Sequence, residues 1–289
     1  MAGMDIGRIG IWSMELRFGD KILAAQAAAE LDVLGYGAIW VPGGIGGALM
    51  DDLDHLLGAT SRLTIASGIL NVWKHDPAEV AGWFKALAPD RQARVLLGLG
   101  VSHSHIIGET WGKPLALMRD YLDRLDAEGM PADQLCLAAL GPRMLELSGR
   151  RSAGAHPYLI TPAHTASARA VLGQGPLLAP EQGVVLESDP AKARELARGA
   201  LSAYLQYPNY RNSWARLGFT EADMAGGGSD RLVDALFAWG SAEDIAARVQ
   251  AHLAAGADHV CLQVVTGAGL DVNAARPIWR ELAGVLIAS

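Results

Sequence analysis

RLTIASGILNVWKHDPAEVAGWFKALAPDRQARVLLGLGV, residues 62 to 101, decides the fold. Leu63, Ile65, Ile69 and Leu70, interleaved with Thr64 and Ala66, make a short uncharged run of the kind that helices cover on both faces. Asp76-Pro77-Ala78-Glu79 then reads as a helix start. Asp76 is placed as the N-cap, Pro77 takes the first position where no N–H is needed, and Glu79 can reach back to the cap. The helix is expected to run to about Leu87 and stop near Pro89. Val95 to Val101 follows as a second buried strand. Strands joined through a helix are parallel with a right-handed crossover, so the stretch is one strand-helix-strand unit, and both of its strands run into glycine, at Gly68 and at Gly98 and Gly100.

The same alternation recurs along the chain. Arg8 to Trp12, Ala38 to Val41, Leu135 to Ala139, Ala155 to Ile160, Gly183 to Leu186 and His259 to Val264 each read as a short buried strand, which with the first pair makes eight. Helical stretches separate them, several with start signals: Thr161-Pro162, Asp189-Pro190, and Ser241 followed by Asp244. Eight alternating units in 289 residues predict an α/β fold, a (β/α)8 TIM barrel forming one domain over residues 1–289. The segment from Tyr207 to Trp239 is too long for a simple crossover. It reads as a helical insertion between strands seven and eight, with Ala225-Gly226-Gly227-Gly228-Ser229 as a mobile hinge.

Composition narrows the function. The formal net charge is -7 and the basic residues are dispersed, so no nucleic-acid surface is expected. Two cysteines, Cys136 and Cys261, fall inside predicted strands and read as buried free thiols of a reducing compartment. The N-terminus has no basic, apolar-cored leader, and glycines with Pro42 interrupt the uncharged run from Val33 to Met50, so a cytoplasmic protein without a membrane span is expected.

A barrel of this type carries its chemistry at the C-terminal strand ends. His103 and His105 follow strand four. An H-x-H pair there invites zinc, but few carboxylates share the rim and strand eight ends at Gln263 and Val264 without an acid, so no metal is expected. A free imidazole suits general acid catalysis instead. Gly141-Pro142-Arg143 places free backbone N–H groups at a helix start beside a cation, an arrangement that attracts anions and phosphate above all. Trp12, Trp40 and Trp73 near the rim offer flat walls for a planar ring, although ordinary barrel packing explains each alone.

Together these residues resemble the bacterial luciferase-like superfamily, in particular its deazaflavin-dependent oxidoreductases that use coenzyme F420. The likeness rests on AAELDVLGYGAIWV, RLTIASGILNVWKHDPAEVAGWFKAL, ARVLLGLGVSHS, AALGPRMLELSGRRSAGAHPYL and SAEDIAARVQAHLAAGADHVCLQ, in that order along nearly the whole chain. The resemblance implies a non-proline cis peptide at Gly68-Ile69 that props the cofactor ring. It implies cofactor contacts from Gly68, Ile69, Asn71, Gly100, Val101, Ser102, Ala138, Ala139, Gly141 and Arg143, and His103 in the place where many relatives hold an acidic proton donor. Trp12, Trp73 and His156 would line the pocket of a small-molecule substrate, and a homodimer is implied. One departure stands out: after strand two, relatives often carry an acidic residue and a histidine, whereas this chain has Gly43-Gly44. The alternatives are a flavin mononucleotide (FMN) monooxygenase on the same barrel and a cofactor-binding barrel without catalysis.

Overall fold

The computed structural model describes residues 6–44, 46–102 and 113–287. Its strands are β1 (Ile9–Trp12), β2 (Ala38–Gly43), β3 (Thr64–Asn71), β4 (Val95–Gly100), β5 (Leu135–Leu137), β6 (Gly154–Ala155), β7 (Leu177–Leu178), β8 (Glu181–Val185), β9 (Phe237–Trp239) and β10 (Val260–Val264). The helices are α1 (Glu15–Phe18), α2 (Lys21–Leu34), α3 (Leu49–Ala59), α4 (Pro77–Ala86), α5 (Pro89–Gln92), α6 (Pro114–Ala127), α7 (Pro142–Arg151), α8 (Pro162–Leu172), α9 (Pro190–Leu201), α10 (Pro208–Arg216), α11 (Asp230–Leu236), α12 (Ala242–Ala254) and α13 (Val272–Leu286).

All strand pairs are parallel, in the order β7-β6-β5-β4-β3-β2-β1-β10-β8-β9. The sheet curls, and backbone bonds across β7 and β8 join its two sides. Ala179 N donates to Ala155 O at 2.9 Å and Glu181 N to Pro157 O at 2.9 Å, while Asp258 N donates to Leu178 O at 2.9 Å and Cys261 N to Pro180 O at 3.0 Å. β7 and β8 thus act as one barrel strand, interrupted where Pro180 lacks an N–H for the ladder. The upper part of β8 also pairs with β9, through Gly183↔Phe237, Val184↔Ala238 and Val185↔Trp239.

Alternation along each strand sorts side chains to the two sides. Ile11, Ile39, Ile65 and Leu97 join the large cluster with Leu31, Leu53 and Leu56 of the surrounding helices. Trp12, Trp40, Ala66, Leu96, Cys136 and Cys261 fill the barrel interior. Each fully buried leucine of the outer layer contributes about 1.5–3 kcal/mol. The helix starts form where capping chemistry places them. Asp76 Oδ1 accepts from Ala78 N at 2.9 Å. Ser241 and Asp244 bond reciprocally, with Asp244 N to Ser241 Oγ at 3.2 Å and Ser241 N to Asp244 Oδ2 at 3.0 Å.

Several sequence expectations need correction. The seventh barrel strand begins at Leu177, ahead of Gly183, and Phe237–Trp239 is a strand inside the segment read as helical. The expected strand Ala155 to Ile160 keeps only Gly154–Ala155 as ladder, because Pro157 has no N–H and Leu159 turns at φ 52°. The helix that starts at Asp189-Pro190 ends at Leu201 and continues as a single 3-10 turn, Ser202–Tyr204. The glycine loop, expected to be a hinge, is tied: Arg198 Nε donates to Gly228 O at 3.0 Å and Ser229 Oγ to Asp223 Oδ1 at 2.8 Å. Its three glycines are there because all have positive φ, 58°, 88° and 96°.

Candidate active site

The mouth of the barrel is organised by a bulge in β3. Its pairing with β4 runs Ser67↔Leu97 and then skips to Leu70↔Leu99, and the Gly68-Ile69 peptide in the skipped stretch is cis. The indole Nε1 of Trp12 donates to Gly68 O at 3.0 Å, and Ser67 Oγ donates to Gly98 O at 2.9 Å. Both neighbouring strands give way to the bulge. A Cβ on Gly100 would lie 2.3 Å from Ile69 Cδ1, one on Gly98 2.2 Å from Ser67 O, and one on Gly43 2.6 Å from Ile69 O. Gly100 is therefore glycine to admit the Ile69 side chain, where the sequence suggested backbone approach to a cofactor. Gly43 likewise explains the missing acidic residue after β2, since a side chain there would meet the bulge carbonyl. Arg17, fully buried, holds the same exit loop by donating to Pro42 O, to Gly46 O at 2.7 Å and to Asp52 Oδ2 at 2.8 Å.

Beneath the bulge lies His156, 1% exposed. Its ring stacks on Trp40 with centroids 4.2 Å apart. Nδ1 donates to Ala179 O at 2.7 Å, which leaves Nε2 as the bare nitrogen, buried with no partner among the described residues. Burial pushes its pKa down to about 4, so the ring is neutral at pH 7. His156 is thus part of the barrel interior under Gly68, whereas the sequence reading placed it as a pocket wall.

On the β4 side, Trp73 Nε1 donates to Val101 O at 2.9 Å, and Asn71 Oδ1 accepts from Trp73 N at 3.0 Å. Asn71 Nδ2 is buried without a partner among the described residues. Ser102 turns at φ 59°, and its hydroxyl-bearing side chain is half-buried. His103 and His105 lie outside the described residues.

Beside β5, helix α7 starts at Gly141 without a side-chain cap. Arg143 in its first turn is exposed and makes no hydrogen bond or ion pair among the described residues. A second cation joins it: Arg216 of α10 donates from Nη2 to Leu140 O at 3.0 Å and lies 4.0 Å from where a Cβ on Gly141 would sit. His164 Nε2 donates to the same carbonyl at 3.0 Å. The positive end of the helix dipole and two guanidinium groups converge here. Ala138 and Ala139 lead into this turn, Ala139 being buried. Sequence reasoning found Arg143 and missed Arg216, which sits far along the chain inside the insertion.

It also missed two carboxyl groups. Glu15 follows β1 and is held by Ser13 Oγ at 2.6 Å; burial raises its pKa, partly opposed by that hydrogen bond. Glu181 of β8 is 1% exposed, and burial pushes its carboxyl up to about 8. Its Oε2 accepts from Leu159 N at 3.0 Å, and its Oε1 has no partner among the described residues. The available signal was a glutamate two residues before the apolar run Gly183 to Leu186, which is an inward strand position once the strand is extended backwards.

A bulged third strand, a cationic helix start and tryptophans thus meet at the mouth of one parallel barrel. The family model described as luciferase-like monooxygenase matches residues 23–259, and the chain belongs to that family. An F420-dependent secondary alcohol dehydrogenase, solved with an F420-acetone adduct, superposes with a TM-score of 0.74 at 15% identity, covering 99% of each chain. The coenzyme F420-dependent tetrahydromethanopterin reductase of Methanopyrus kandleri gives 0.66 at 14% identity, covering 99% of this chain and 100% of that one. The oxygenating constituent of 3,6-diketocamphane monooxygenase from Pseudomonas putida, solved with FMN, gives 0.67 at 14%, covering 98% and 96%. These likenesses speak to the fold. No curated protein sequence matches the chain. Among the described residues no helix is long and apolar enough to cross a membrane, and no three His, Cys, Asp or Glu side chains cluster as metal ligands.

Proposed function

We propose that this protein is a coenzyme F420-dependent oxidoreductase that exchanges a hydride between the deazaflavin and a small organic substrate. The observation that carries the reading is the joining of two features at one mouth: the Trp12-tethered bulge at Gly68-Ile69, and the uncapped α7 start with Arg143 and Arg216. A long cofactor with a flat ring at one end and a phosphate at the other matches that pair of features. Ile69 would support the ring, and Asn71 Nδ2, buried without a partner among the described residues, would be a donor available to it. The turn Ala138-Ala139-Leu140-Gly141 with Arg143 would hold the phosphate, and Gly100, Val101 and Ser102 would pass beside it. When bound in its reduced form, the deazaflavin supplies the hydride.

The remaining work falls to side chains. His103 is assigned the proton, because an imidazole can both give and take one. Trp12 and Trp73 are assigned as pocket walls, each already oriented by its indole N–H. The F420-dependent neighbours support this choice of cofactor. Titration with F420 and with FMN, followed by absorbance and fluorescence, tests it. Tight FMN binding with indifference to F420 would overturn it and leave the second reading, an FMN monooxygenase, which the FMN-bound neighbour favours. Activity unchanged in His103→Ala would remove that residue's role.

A further inference from the structure

The wall of the mouth opposite β4 carries a chain of neutral polar groups with no place in the cofactor reading. Tyr158 Oη donates to Gln263 Oε1 at 2.5 Å and accepts from Tyr204 Oη at 3.2 Å. All three side chains are half-buried. Gln263 stands in register with Trp12 on the neighbouring strand, and the Tyr158 ring lies 5.5 Å from the Trp12 ring. Trp12 in turn holds the bulge carbonyl at Gly68. The chain is therefore one side chain removed from the bulge.

Its position is fixed from below and from the side. Glu181 takes the Leu159 N–H at 3.0 Å, and Trp214 of the insertion donates to Leu159 O at 3.0 Å. Leu159, turned at φ 52°, is thus pinned on both faces of its backbone, and Tyr158 beside it is aimed into the mouth. Within the chain the hydrogen-bonding capacity is unequal. Tyr158 spends its only proton on Gln263, but the Gln263 amide N–H2 has no partner among the described residues, and Tyr204 keeps its oxygen lone pairs. The groups acting on Tyr158 are Tyr204, Glu181 and Tyr210, with no cation among them.

We propose that Gln263, Tyr158 and Tyr204 form the oxygen-binding subsite for the substrate, and that the substrate is a small uncharged ketone or alcohol. The Gln263 N–H2 receives a carbonyl or hydroxyl oxygen, and Tyr204 takes the proton of a hydroxyl. The rings of Trp12, Tyr158 and Tyr204 cover the apolar remainder. A carboxylate or phosphate is disfavoured because no cation among the described residues meets it there. This deepens the oxidoreductase reading by naming its substrate class, and it rests on that reading.

Ligand-observed NMR titration of the cofactor-free protein with cyclohexanone, cyclohexanol and cyclohexanecarboxylate tests the subsite. The two neutral probes should bind at least about tenfold more tightly than the anion. Gln263→Leu, Gln263→Glu and Tyr204→Phe should each weaken cyclohexanone or cyclohexanol binding by about five- to tenfold. The isosteric Gln263→Glu serves if the leucine variant folds poorly. Equal binding of the carboxylate, or unchanged binding of the neutral probes in the variants, overturns the subsite. Titration of the same variants with F420 keeps the two readings apart: it should be unchanged, and its failure in the unmodified protein would count against the cofactor alone.

Discussion

Gly100→Ala is predicted to destabilise the protein because of one side chain, Ile69, and to stop doing so when that side chain is cut back. The added Cβ would lie 2.3 Å from Ile69 Cδ1 and 2.7 Å from Ile69 Cγ1, with Ala138 Cβ next at 3.5 Å. Forcing a methyl into such a site costs about 1–3 kcal/mol. Gly100 is not at positive φ, so the backbone accepts alanine, and the stiffer unfolded chain returns about 0.4–1 kcal/mol. The net loss is therefore about 0–2.6 kcal/mol, centred near about 1.3, by combining those two ranges. In an Ile69→Ala background only the ordinary contact at 3.5 Å remains, so the same substitution should stabilise by about 0.4–1 kcal/mol. The four proteins of this cycle can be compared by urea unfolding, reading the midpoint at constant slope, and the coupling should be about 1–3 kcal/mol. An equal loss from Gly100→Ala in both backgrounds would refute the assignment of Ile69 as the occupant of the β4 glycine gap.

Three further outcomes are expected. Glu181 has a folded pKa of about 8, raised from 4.5 by burial, so its contribution to stability is full below about pH 4.5 and is lost as pH rises through 8; Glu181→Gln should flatten that decline, by an amount on the order of 4 kcal/mol between pH 5 and 9 in unfolding titrations. Arg17→Met removes donors to Pro42 O, Gly46 O and Asp52 from a fully buried position and should cost about 3–5 kcal/mol by chemical denaturation; a loss under about 1 kcal/mol would mean that the β2 exit loop holds itself. Arg143→Gln and Arg216→Gln should each weaken F420 binding by about three- to tenfold in fluorescence titration, with the deficit shrinking at high salt; a deficit insensitive to salt would exclude a charge contact.

Much of the architecture was legible because its signals are local. The Asp76-Pro77 start, the Ser241 and Asp244 box and the apolar runs at β1 to β4 each announce themselves within a few residues, and the structure places α4 and α12 where those caps lie. Two of the shortest strands do not announce themselves. Leu177–Leu178 and Phe237–Trp239 are too short for a period of two to show, and they exist because neighbouring strands supply their hydrogen bonds. The anion-attracting turn at Gly141 was readable from a helix start and one arginine, while its second arginine arrives from another part of the chain.

By itself the sequence determined the alternation of strands and helices, hence the barrel, and it marked the mouth by its glycines and tryptophans. Only the tertiary structure decided what fills the space those glycines leave. Gly43, Gly98 and Gly100 make room for the bulge and the Ile69 side chain, and Glu181, Tyr158 and Gln263 meet at the mouth from three different strands or their exits. The physical reason is the range of the information. Capping and periodicity act across a few residues and can be read along the chain, whereas steric fit and hydrogen-bond partnership join segments that the chain brings together only by folding.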